Sequence, residues 1–329
     1  MSQTGINTGV LTRKMFEYID GKVAEPKKGT LVGRSLFQLK TGLPQYTEYY
    51  TYYWKERSGQ ASDSTNRATD TTTVDVTYHK ETGFITEKAS ALEYSDEEIA
   101  RAQAGHIDVL GDKTKAANDA LADWEDRLIF NGDTSNSKRP IYGLTSDPKA
   151  TGIQVADDAP LTLARVVDPT NENAFQDAYK IVNWFMDAVE KITLLPGYSD
   201  VKPILALPPK EYKLLQRPLL NQYTPGSTIM GMLQDEKGNG SGAIFSQIKP
   251  VPEFEAKYWN NAKGADGKKD LGMIFLNDTD TANIPIAMEP QRDGLPEYTN
   301  GKHIVRYKER MGGLCIKFPA GFVRLNGIN

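Results

Sequence analysis

The sequence predicts an α+β protein in which a long amphipathic helix and antiparallel strands make one unit and a mixed α/β arrangement makes another. Three observations carry this. Ala117, Leu121, Trp124 and Leu128 recur at steps of four, three and four, which puts one apolar stripe on a helix. Ala174, Ala178, Ile181, Phe185, Ala188 and Ile192 make a second stripe, widened by Phe175, Val182 and Val189. Between and around these helices lie short runs that either alternate apolar and polar residues or stay apolar throughout, the two signatures of strands.

Composition bounds the class. The chain has 329 residues, 39% hydrophobic and 25% charged, an ordinary globular balance with length for two domains. A net charge of −4 does not mark a dedicated nucleic-acid binder, although a balanced total can hide a polarised surface. The single cysteine, Cys315, excludes an intramolecular disulfide and reads, between Leu314 and Ile316, as a small buried hydrophobe. The N-terminal residues lack the apolar run of a signal peptide, and no window approaches the roughly 20 apolar residues of a membrane span. We therefore expect a soluble chain kept inside a cell, with no membrane partner.

Taken in order, residues 1–45 show scattered apolar residues and no sustained period, so they read as an arm or an unordered tail. Residues 46–80 read as a long hairpin. Tyr46, Tyr49, Tyr50, Tyr52, Tyr53 and Trp54 lead into a polar tract from Ser58 to Arg67, and Val74, Val76 and Tyr78 then alternate with polar residues. Such a hairpin has too little apolar area to stand alone and must lie against something else. Tyr49, Tyr50, Tyr52, Tyr53, Trp54, Arg57 and Arg67 are the candidate interface residues. Aromatics interleaved with Lys55 and Arg57 also fit a stacking platform for nucleic acid, but tyrosine-rich strands more commonly serve packing or protein interfaces.

Residues 81–147 begin with a strand from Phe84 to Tyr94. Ser95 then opens a short helix, where Ser95 and Glu98 fit a capping box and Asp96, Glu97 and Glu98 suit the positive end of the helix dipole. His106 and Gly111 bracket a break. The long helix follows over 112–130 and stops at Asn131-Gly132-Asp133, where Asn or Gly suits a left-handed C-terminal cap. Ile141-Tyr142-Gly143-Leu144 closes the segment.

Residues 148–300 read as the mixed α/β unit. Asn173–Leu195 is its main helix, ended by Pro196-Gly197. Lys202–Leu207 and Leu271–Leu276 are short buried strands. Pro208 and Pro209 start a helix carrying Tyr212, Leu214 and Leu215. Residues 301–329 read as closing strands, Ile304–Tyr307, Leu314–Phe318 and Phe322–Leu325, that return to lie beside the long helix.

No catalytic constellation stands out. His79, His106 and His303 are far apart, and no cysteine cluster or zinc spacing exists. The Gly238–Gly242 run fits neither a phosphate loop, nor a dinucleotide fingerprint, nor a nucleophile elbow, so it reads as a loop. Helix-end electrostatics explains Asp96/Glu97/Glu98. A solvated helix face explains Glu125/Asp126, and Asp157/Asp158 and Asp278/Asp280 read as turn or surface acids. We expect no cofactor, no metal and no catalytic residue.

The order of elements carries a family resemblance. A strand, a Ser-capped short helix, a long helix ending Glu125-Asp126-Arg127-Leu128-Ile129-Phe130-Asn131-Gly132-Asp133, and then Gly143-Leu144, resembles the major capsid proteins of tailed bacteriophages. Those share the Hong Kong 97-like (HK97-like) fold with encapsulins. Arg310-Met311-Gly312-Gly313-Leu314 onward to Pro319 is similar to their closing strands. The resemblance implies an N-terminal arm (1–45), an extended loop (46–80), a peripheral domain (81–147) with spine helix 112–130, and an axial domain (148–300). In this picture residues 301–329 return to the peripheral domain. It further implies self-assembly into hexamers and pentamers of an icosahedral shell around double-stranded DNA, held through non-specific contacts. Implied partners are a scaffolding protein, a portal and a decoration protein. The location would be the virion, with assembly in the host cytoplasm. Covalent crosslinks of the type member cannot be placed here and are not expected. An encapsulin-type compartment, another virion component such as a tail or decoration protein, and a soluble α/β enzyme are the other readings.

Overall fold

The computed structural model describes residues 31–59, 74–104, 108–219, 227–234, 242–258 and 270–328. Helix α1 (Gly33–Leu36) and strand β1 (Gln38–Lys40) come first, then β2 (Tyr49–Ser58) and β3 (Asp75–Tyr94). β3 is one continuous strand, so the strand expected to begin at Phe84 begins at Asp75. Helix α2 (Asp96–Ala104) is capped by Ser95, whose Oγ accepts the Glu98 amide at 3.2 Å. The return arm of the capping box is replaced. The Glu98 carboxylate reaches Lys113 at 2.7 Å instead, because a full positive charge outcompetes a neutral amide. Helix α3 (Val109–Phe130) starts earlier than the expected residue 112, since the Asp108 carboxylate accepts the Gly111 amide at 2.9 Å and places Gly111 in the first turn rather than at a break.

Strands β4 (Gly132–Asp133) and β5 (Ile141–Tyr142) follow, then α4 (Pro148–Thr151), β6 (Gln154–Val155), α5 (Leu163–Val166) and α6 (Ala174–Thr193). The chain goes on through β7 (Ile204–Leu207), α7 (Pro209–Leu215), α8 (Ile229–Gln234), β8 (Gln247–Pro250) and β9 (Leu271–Phe275). It ends with β10 (Ala282–Arg292), β11 (Glu297–Thr299), β12 (Lys302–Gly312), β13 (Cys315–Ile316) and β14 (Phe322–Asn326). Of the Gly238–Gly242 run only Gly242 is among the described residues, and His106 lies outside them.

The strands form two main sheets among the described residues. The longer runs β1-β10-β12-β3-β2, with β11 and β13 added at its sides. Its β3 serves two partners in turn: Asp75–Phe84 pairs with β2, and Ile85–Tyr94 pairs with β12. The smaller sheet runs β6-β14-β9-β7-β8 and is mixed, with β7–β8 and β14–β6 parallel. Residues of the smaller sheet alternate between two cores. Leu205, Leu207, Ile274, Val323 and Leu325 face α5, α6, α7 and α8. Ile204, Ala206, Leu271, Met273, Phe275 and Phe322 face the opposite way, onto Leu36, Phe37, Leu128, Ile129, Phe130, Ile284, Ile286 and Met311. Both faces are covered there, which explains why β7 and β9 read as unbroken apolar runs.

Two features depart from the linear division of the chain. β14 does not return to the long helix; it joins the smaller sheet between β6 and β9, because Phe322 on one face and Val323 and Leu325 on the other need a sheet covered on both sides, where Arg324 is buried as well and donates to Ser146 O. β10, within residues 148–300, belongs to the longer sheet. The division at 300 therefore does not follow the sheets.

The end of α3 explains the Asn-Gly-Asp and Gly-Leu signals. Gly132 takes the left-handed conformation at φ +70°. The last carbonyls of the helix are satisfied from the next segment: Leu144 N donates to Ile129 O at 3.2 Å and Thr145 N to Phe130 O at 2.8 Å. Gly143 lies so close that a Cβ there would sit 2.3 Å from Phe130 O. Gly143→Ala should therefore destabilise the chain by about 1–3 kcal/mol, read as a lowered midpoint in chemical denaturation.

Candidate functional site

The aromatic segment expected to form an interface lies in the β2–β3 hairpin. Its register pairs Tyr49 with Phe84 and runs to Ser58 opposite Asp75, and Ile85 N donating to Glu48 O at 2.9 Å extends it by one rung. Side chains alternate across a strand, and directly opposed residues share a face. One face carries Tyr49, Thr51, Tyr53 and Lys55 with Tyr78, Lys80, Thr82 and Phe84. The other carries Tyr50, Tyr52, Trp54 and Glu56 with Thr77, His79, Glu81 and Gly83.

At its root the second face is tied to the body. The Tyr52 hydroxyl donates to Ile316 O at 3.0 Å, and Asn283 Nδ2 donates to the Tyr50 hydroxyl at 3.2 Å. Gly83 lets the hairpin approach β13, since a Cβ at that position would lie 2.8 Å from Cys315 Sγ. Burial pushes the Tyr52 hydroxyl well above the usual phenol range. Burial likewise pushes the Cys315 thiol up to about 12, with Lys317 opposing weakly. Between the hairpin and the segments 140–142, 149–152 and 313–320 lies a groove of about 860 Å³.

Further out the support ends. Trp54 stacks on His79 with ring centroids 4.0 Å apart, a contact within the hairpin itself. Tyr53 and Tyr78 are 65% and 68% exposed. Near the root Tyr49 meets Phe84 edge-on, and Arg139 donates to its hydroxyl at 2.8 Å while reaching Glu48 at 3.2 Å. The hairpin is a two-stranded ribbon beyond Ile85, since β12 leaves β3 there. Both of its outer edges lack a strand partner among the described residues, the usual template for pairing with another chain.

The structure thus splits the expected set. Tyr50 and Tyr52 anchor the hairpin to its own chain, Tyr49 sits at the root against Phe84 and Arg139, and Tyr53 and Trp54 lie on its exposed part. Arg57 sits in the ladder opposite Val76, its side chain outside the described residues, and Arg67 lies wholly outside them. Tyr46, 78% exposed beneath the Arg310 guanidinium, and Tyr78 belong with the exposed group. The pairing register brings Tyr78 beside Lys55 and Tyr53, which spacing along one strand does not disclose.

Other candidate chemistry is dispersed. His303 stacks on Tyr94 and lies 3.2 Å from Asp96 at the surface. Among the described residues no three His, Cys, Asp or Glu side chains converge to hold a metal ion, and no helix is long and apolar enough to cross a membrane. One expectation is overturned: Glu125 and Asp126 do not lie on a solvated helix face. They are 4% and 5% exposed, because the last turns of α3 are covered by α1 and by both sheets. Glu125 is paired with Arg34, and Asp126 Oδ1 accepts the Gly33 amide at 2.8 Å.

Comparison with known proteins places this geometry. The family model described as major capsid protein matches residues 59–328. No curated protein sequence gives a match. Among solved structures, the capsid of Myoviridae phage XM1 is similar at 12% identity and a TM-score of 0.73, covering 97% of this chain and 99% of that one. The capsid of an empty GTA particle is similar at 11% identity and 0.60, covering 99% and 100%. Microbacterium phage Oxtober96 gives 14% identity and 0.60, covering 94% of each.

Two measurements check the anchoring. Tyr52→Phe should cost about 0.5–1.5 kcal/mol in chemical denaturation, from loss of one partly buried hydrogen bond. Cys315 should resist a thiol reagent at about pH 8 in the folded chain and react once denaturant exposes it, since burial suppresses the thiolate.

Proposed function

The chain belongs to the major capsid protein family, and we propose that it acts by self-assembly into pentamers and hexamers that close an icosahedral head shell around phage double-stranded DNA. Its fold is HK97-like and its role is that of a head-shell protein of the virion. The observation that carries the assembly mechanism is the β2–β3 hairpin. A two-stranded ribbon is at best marginally stable in water. This one projects past its last contact with the body and displays Tyr53, Tyr78 and Val74 to solvent. Those side chains gain cover if the hairpin lies on a neighbouring copy as the extended loop of a capsomer. A contact between unlike surfaces repeated by rotation closes into rings.

In this reading α3 with the longer sheet forms the peripheral domain, and α6 with the smaller sheet forms the axial domain. Of the arm expected over residues 1–45, α1 and β1 are instead held in this chain's own core, with Leu36 and Phe37 buried and β1 paired to β10, and residues 1–30 lie outside the described residues. The role is structural and non-enzymatic. A scaffolding protein, a portal and a decoration protein are the expected partners, DNA is contacted without sequence preference, and assembly takes place in the host cytoplasm.

Electron microscopy of the purified chain, expressed alone and with a candidate scaffold, tests the proposal. Capsomer rings or closed shells support it, and a diameter too small for a genome would favour the encapsulin reading. A strictly monomeric chain under both conditions would overturn it. Deleting residues 58–66 should leave thermal unfolding of the protomer nearly unchanged while abolishing stable shells. Normal shells from that deletion would reject the hairpin as the intersubunit element.

A further inference from the structure

Glu125 and Asp126, adjacent in the last turns of α3, each face another carboxyl group. Glu125 faces Glu309 of β12, which is fully buried and has no hydrogen-bond partner for either oxygen. Asp126 faces Glu253 in the turn 252–254, and Asp126 Oδ2 and Glu253 Oε2 are also buried without a partner. Among the described residues a single cation is bonded to the first group. Arg34 of α1 holds both oxygens of Glu125, at 2.6 Å for Nη2–Oε1, reaches Glu289 of β10 at 3.0 Å and approaches Glu309 at 3.6 Å. Further charged neighbours among the described residues are Glu255, close to Glu253 and itself paired with Lys257, and Lys88, opposite Glu309 in the β3–β12 ladder with its side chain exposed.

Fully ionised, this layout is untenable. Glu125, Glu289 and Glu309 would set three negative charges against one guanidinium. Carboxylates only accept hydrogen bonds, so their facing oxygens would also stay unsatisfied away from water. A proton on one member of each pair removes a like charge and supplies the missing donor. We propose that Glu125–Glu309 and Asp126–Glu253 each hold one shared proton at neutral pH and form a proton-linked latch that fastens α1 and both sheets to the end of α3.

The latch joins five places in the chain, the end of α3 among them. Arg34 and the Gly33 amide bring in the entry segment, Glu289 and Glu309 the longer sheet, and Glu253 the turn after β8 beside the smaller sheet. When a pair loses its proton to solvent, one O–H bond breaks and the pair's charge goes from −1 to −2. Burial first, then the neighbouring carboxylate, pushes Glu309 up to about 10, and burial with Asp126 beside it pushes Glu253 up to about 8. Both lie above the ordinary carboxylate range, so the folded chain binds more protons than the unfolded one. The resulting stability is complete below the unfolded value and is lost as pH rises through about 8 and then about 10. Alkaline solution therefore loosens the joint between the sheets. This inference does not depend on how the subunits assemble.

The test uses the purified full chain. Thermal midpoints are measured at about pH 6 and about pH 9.5 for the native protein, Glu309→Gln and Glu253→Gln. Glutamine mimics the protonated acid without titrating. The native midpoint should fall by several degrees across the interval, and each variant should fall by less. At neutral pH the infrared spectrum of the native chain should carry a protonated carboxylic-acid band that weakens in each variant. Parallel pH profiles for native and variant chains, or no such band in the native chain, would overturn the proposal. If Glu309→Gln does not fold, the native spectrum and Glu253→Gln still decide it.

Discussion

The structure depends on the close packing of the C-terminal turn of α3. Leu128, Ile129 and Phe130 are almost wholly buried in the core shared by the smaller sheet, α1 and the base of the longer sheet. A helix end is a poor object to bury, because its last carbonyls lack partners. Here the chain solves this by folding back at once. Gly132 reverses direction, β4 and β5 pair, and Leu144 and Thr145 donate to the exposed carbonyls of Ile129 and Phe130. Only glycine at 132 and 143 allows so close an approach.

That joint lets two sheets of different character share one molecule. The smaller sheet is covered on both faces at its centre, so β7 and β9 are short and apolar throughout. The longer sheet is covered only in part, at its base in the shared core and where Leu92 and Val305 meet Ala117 of α3. Past Ile85 it narrows to the β2–β3 ribbon, whose exposed aromatic residues find no cover among the described residues. A protein whose most extended element is its least supported one has placed part of its stabilisation outside the monomer, as expected where subunits complete one another.

The buried charges belong to the same region. Arg34, Glu125 and Glu309 come from three separate parts of the sequence and meet where α1, α3 and β12 converge. Breaking one member of such a buried set leaves its partners uncompensated, which makes the group sensitive to proton balance as well as to mutation.

Much was legible in the sequence because it depends on neighbours three or four residues away. The apolar stripes of α3 and α6, the Ser95 cap, the proline start of α7 and the Asn-Gly-Asp stop are local, and helix geometry imposes their spacing. The tyrosines of β2 announced an unusual hairpin for the same reason. What spacing could not give was pairing between distant segments. It did not disclose that β14 crosses into the smaller sheet, that Tyr50 and Tyr52 anchor while Tyr53 and Tyr78 project, or that Glu125 and Asp126 are buried. A helix face that looks solvated by composition becomes interior when Gly33 and Arg34, some ninety residues earlier in the chain, supply the partners its carboxylates need. The sequence by itself determined α3, α6 and the apolar strands β7 and β9, because those rest on local periodicity, but it did not disclose α1, α8 or β10. Only the tertiary structure decided which faces are covered, because burial is set by what packs against them from elsewhere in the chain.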